Sequence, residues 1–103
     1  MRNIKTLAVV SLAIAISFPL LSHAAGNAQA GKSKAALCGG CHGAEGISVS
    51  PEVPNLKGQK AAYLIKAVKD YKTGARKNPM MAPMVAALSD QDIADIAAYF
   101  SSL

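Results

Sequence analysis

Three observations in the sequence predict an all-α fold. Apolar residues recur at helical spacing in two stretches: Ala61, Leu64, Val68 and Tyr71 in one, Ile93, Ile96, Ala97 and Phe100 in the other. Residues 27–37 are rich in alanine and lysine, good helix formers, and contain no proline. No stretch alternates apolar and polar side chains as a strand does, and no repeat or second domain is visible. At 103 residues the chain has room for one small domain.

That domain is expected over residues 25–103. Before it, Arg2 and Lys5 give a positive start, Leu7 to Leu21 form an apolar run, and Ser22-His23-Ala24 offer small residues at cleavage positions. This is the layout of a secretory signal peptide, with Ala24/Ala25 the expected junction and the Ala28-Gln29-Ala30 region a weaker second one. A membrane anchor is the alternative, but the run falls short of the roughly 20 residues needed to span a bilayer, and Pro19 interrupts it. The expected product is therefore exported, in a bacterial periplasm, with no stable membrane insertion once the segment is removed. Removal takes away two basic residues and no acids, so the formal charge falls from +5 to +3.

Most of the remaining lysines lie between Lys57 and Lys77, whereas Asp90, Asp92 and Asp95 gather near the end, so a basic side and an acidic end are expected. Nucleic acid is a poor partner for this chain. It has no basic run interleaved with aromatics, no tryptophan and only two phenylalanines.

Each element has a local reason. The first helix, with Asn27 or Gly26 as cap, leads into Cys38; its apolar face is mostly alanine, which suits close packing on another helix at Gly31. Residues 43–58 are rich in glycine, serine and proline and read as loop. Lys60 to Thr73 form the next helix, with Lys66, Lys69 and Lys72 turned to water and Gly74 as the stop. In the segment 76–84 two prolines, Pro79 and Pro83, argue for an irregular loop. Ser89 is a good N-cap for the last helix, and Asp90 and Asp92 suit the positive end of its dipole rather than an acid/base pair.

The chemistry is concentrated in Cys38-Gly39-Gly40-Cys41-His42, which contains every cysteine in the chain. Two thiols at this spacing followed at once by an imidazole form the c-type haem attachment motif: Cys38 and Cys41 as thioethers to the haem vinyl groups, His42 under the iron. A thiol-redox pair would require a βαβ setting, which is absent, and a zinc site about four ligands, which the chain cannot readily supply. A ligating imidazole donates its other ring N–H to a carbonyl, and the loop Pro51 to Leu56 is placed to offer one, with an ordinary turn as the alternative. Three methionines, Met80, Met81 and Met84, fall within five positions. Methionines commonly fill core gaps, but thioethers on an irregular loop are what a sixth iron ligand requires. Arg76 is a candidate partner for a haem propionate, a solvated arginine being the alternative.

With these residues in place, the chain resembles the class I c-type cytochromes, most closely the short single-haem bacterial members and one half of the periplasmic two-haem cytochromes. The resemblance runs through AGNAQAGKSKAALCGGCHG, PNLKGQ, YLIKAVKDYKTG and LSDQDIADIAAYFSSL. It implies about four helices packed around one covalently attached haem c. It also implies that Cys38 and Cys41 carry the haem and that His42 is the proximal ligand. Counting back from Ser89 points to Met81 as the distal ligand, with Met84 as the alternative and Met80 adjacent. The proline carbonyl behind the histidine would match Pro51 or Pro54, with Pro51 preferred.

The function expected is a soluble, exported electron carrier rather than an enzyme, cycling between ferrous and ferric iron with both axial ligands in place. It would dock briefly on an electron donor and an acceptor, such as a reductase and a terminal oxidase. The alternatives are a haem subunit of a larger oxidoreductase, a ligand-binding haem sensor with an open sixth position, and a haem-free thiol-redox protein.

Overall fold

The structure is a computed structural model that describes residues 8–15 and 26–103. The expected signal-peptide features at Arg2, Lys5, Pro19 and the Ala24/Ala25 junction lie outside the described residues. Residues 8–15 carry no helix or strand. Among the described residues no helix is long and apolar enough to cross a membrane.

Five helices and no strand are found among the described residues. The first, α1 (Ala28–Lys34), begins where the Asn27 side chain accepts the Ala30 N–H at 2.9 Å. The single helix expected over 27–37 is broken at Ala35, and α2 (Ala36–His42) follows immediately, so the cysteine–histidine motif is itself helical. The last two helices expected are found as α3 (Ala61–Thr73), stopped by Gly74 at φ 84°, and α5 (Asp90–Ser101). At the start of α5, Ser89 and Asp92 form a reciprocal capping box, side chain to backbone in both directions.

One expectation is corrected. The methionine segment is not irregular throughout but contains a short helix, α4 (Met81–Val85). Pro83 is tolerated because it lies within the first turn, where the backbone N–H groups have no intrahelical partner and a missing donor costs little.

The spine of the domain is α5, packed against α1 on one side and α3 on the other, while α3 also meets α4 and α1 meets α2. Phe100 and Ile93 are fully buried, and Ala35, Leu64, Ile96, Ala97 and Tyr99 complete the core around them. Gly31 permits the α1–α5 approach: a Cβ there would lie 1.8 Å from the Asp95 carbonyl oxygen. Asp95, expected with Asp90 and Asp92 at the acidic end, is buried with a full set of partners. It accepts the Asn27 N–H at 2.8 Å, Lys34 Nζ at 2.6 Å and Gln91 Nε2 at 2.8 Å. The Asn27 N–H, then Lys34 and Gln91, hold its carboxyl down at about 2.

Candidate haem site

The last turns of α2 carry the motif. Cys38 and Cys41, three apart on one helix, share a face; both are free thiols, Cys38 half-buried and Cys41 exposed. Burial pushes the Cys38 thiol up. His42 ends the helix because Gly43 turns the chain at φ 85°, where a Cβ would meet the Ile47 carbonyl at 2.0 Å.

His42 is buried, and its Nδ1 donates to the Pro54 carbonyl at 2.8 Å. This corrects the preference for Pro51. The loop is pinned where the Gly46 carbonyl accepts the N–H groups of Leu56 at 2.8 Å and Lys57 at 3.0 Å, and where Asn55 Oδ1 accepts the Ser48 N–H. That closure sets the Pro54 carbonyl against the imidazole, while Pro51 lies in the turn at the other end of the loop. With Nδ1 engaged, Nε2 is the nitrogen left to bind a metal, and the ring is fixed in orientation.

Among the three methionines, Met80 is 73 % and Met84 40 % exposed, whereas Met81 is half-buried at the first position of α4. Arg76 lies over the Tyr71 ring, 4.7 Å from its centroid. The lysines expected to face water on α3 do so, Lys66 and Lys72 exposed and Lys69 partly so, and each also has a polar partner at the surface. Lys66 pairs with Asp70, Lys69 reaches Asp90 at 3.8 Å, and Lys72 donates to the Leu88 carbonyl.

These residues fit a covalently held haem. Two unpaired thiols and one oriented imidazole stand on α2, a thioether stands on α4, and those two helices share no substantial packed interface. Apolar side chains that a flat apolar group would cover remain exposed, Leu37 at 46 % and Tyr63 at 49 %. The sequence reading singled out the three methionines and not Asn78, whose Oδ1 accepts the N–H groups of Met80 at 2.8 Å and Met81 at 3.0 Å; its signal was Asn-Pro at the head of the methionine run, a sequence that favours turn initiation.

The chain belongs to the cytochrome c family, whose model, described as cytochrome c, matches residues 28–103. It is 51 % identical over 94 residues to cytochrome c4 of Pseudomonas aeruginosa, covering 91 % of this chain and 47 % of that one. It is also 51 % identical over 81 residues to cytochrome c-554(548) of Halomonas halodenitrificans, covering 76 % of this chain and 98 % of that one. Among solved structures, reduced recombinant cytochrome c4 from Pseudomonas stutzeri superposes with a TM-score of 0.72 at 48 % identity, over 76 % of this chain and 46 % of that one. The chain thus spans about half the length of its cytochrome c4 relatives. With one Cys-x-x-Cys-His motif, at Cys38, Cys41 and His42, it accommodates one covalently bound haem c.

Proposed function

We propose that this chain is an exported carrier of single electrons between redox proteins. The observation that supports it most is the His42 Nδ1–Pro54 carbonyl bond beside two free thiols, which holds one ring nitrogen ready for iron. Cys38 and Cys41 would carry the haem, His42 would bind the iron from one side and Met81 from the other. The bound haem supplies the one-electron couple, and methionine opposite histidine raises its potential. The protein's part is to keep both axial ligands in place in both oxidation states, so that little rearranges when the charge changes. With His42 and Met81 both given to the iron, no ligand position would remain for a substrate, which is why a carrier fits better than an enzyme. A periplasmic location is supported by the basic, then apolar, N-terminal segment.

Met81→Ala should abolish the methionine–iron charge-transfer band of the oxidised holoprotein, and Met84→Ala should leave it. The reverse pattern would transfer the ligand role to Met84.

A further inference from the structure

We propose that Asn78 is the positioning residue for the sixth ligand, bracketing the turn that presents Met81; the proposal rests on Met81 being that ligand. Three bonds converge on this one residue. Asn78 Oδ1 accepts the N–H groups of Met80 at 2.8 Å and Met81 at 3.0 Å, and its main-chain carbonyl accepts the Ala82 N–H at 3.0 Å. Pro79, next in the chain, offers no N–H and brings a fixed φ, so the shape of the turn depends on what Asn78 accepts. The five-residue α4 is too short to define its own start by helical cooperativity. The base of the bracket is held too: two residues earlier, the Arg76 N–H donates to the Asp70 carbonyl at 3.0 Å, tying the segment to α3.

The bracket acts on ligand exchange. An added ligand must displace Met81, so its apparent affinity reports how often the thioether is already off the iron. Removing the side-chain acceptor loosens the turn only by what a lost helix cap is worth, a rise of about five-fold in the displaced population. A carboxylate at the same place accepts both N–H groups and preserves the bracket.

The test is an imidazole titration of the oxidised holoprotein, followed by loss of the methionine–iron band. Asn78→Ala is expected to bind imidazole about five-fold more tightly than the parent. Asn78→Asp is expected within about two-fold of the parent, with Asn78→Ser, a shorter acceptor, in between. Ser89→Ala removes the cap of α5 instead; it should lower global stability and leave imidazole affinity unchanged. Equal affinity in Asn78→Ala and the parent overturns the proposal, as does an equal rise in Ser89→Ala. If Met81→Ala loses the band while Asn78→Ala titrates like the parent, the bracket alone falls. If Met81→Ala keeps the band, the ligand assignment falls and the bracket with it.

Discussion

At the scale of single residues, the domain depends on a few polar groups whose partners come from far along the chain. Asp95 is the clearest: a buried carboxylate that fastens α1 to α5 through Asn27 and Lys34. Its carboxyl sits at about 2, below its ordinary 3.8, so its stabilisation is complete above pH 4 and is lost as pH falls through about 2. Asp92, held down by the Ser89 N–H and then by Lys34, adds to the same acid limb. Asp95→Asn should therefore lower the denaturation midpoint at pH 7 and flatten its dependence on pH between about 4 and about 2. A variant as acid-sensitive as the parent would mean that other carboxylates govern this limb. The burial of Asp95 was not legible in sequence, because an acid beside Asp92 in a polar first turn reads as solvated until Lys34, 61 residues away, is brought to it. Pro54 is a similar case. The sequence named the loop that serves His42, but only the long-range closure onto Gly46 decides which of its two prolines is underneath.

At the scale of elements, the α1–α5 contact is the tightest joint, because Gly31 lets two backbones meet. Gly31→Ala would drive a methyl group into the Asp95 carbonyl, a backbone atom that cannot swing aside. A loss of roughly 2–3 kcal/mol in guanidinium unfolding is expected, as for an overpacked core. A change below about 0.5 kcal/mol, the range of neutral surface substitutions, would show that the joint relaxes. The long helices were legible because their apolar periodicity and their punctuation agree: Gly74 closes α3 and Ser89 opens α5. The break at Ala35 was not, since good helix formers flank it on both sides and nothing local marks a stop. The helix α4 was hidden by Pro79 just before it and Pro83 within it, since a proline's cost depends on whether it falls in a first turn or an interior.

At the scale of the whole molecule, the core is small. Its fully enclosed large side chains are Ile93 and Phe100, and the helix bearing the cysteines is braced mainly by α1 and the Pro54 loop. A domain this short usually needs a staple, and a haem fastened at Cys38 and Cys41 would supply it. The double variant Cys38→Ser/Cys41→Ser should accordingly lose most of its helical circular dichroism at room temperature; a cooperatively folded haem-free chain would show that the helices suffice alone. Under the proposed carrier function, docking would fall to lysines that make no ion pair. Lys57, Lys60 and Lys77 are exposed and make no ion pair among the described residues. Electron exchange with a partner should slow as salt rises from low to physiological strength. A flat response would remove the basic side from docking.

The most direct measurement is the absorption spectrum of the holoprotein in both oxidation states, repeated after extraction with acidified acetone. One haem should stay with the polypeptide through extraction, and the oxidised form should show the methionine–iron band. A colourless protein, or a pigment that passes into the solvent, would contradict the haem held by Cys38 and Cys41 on which the rest depends.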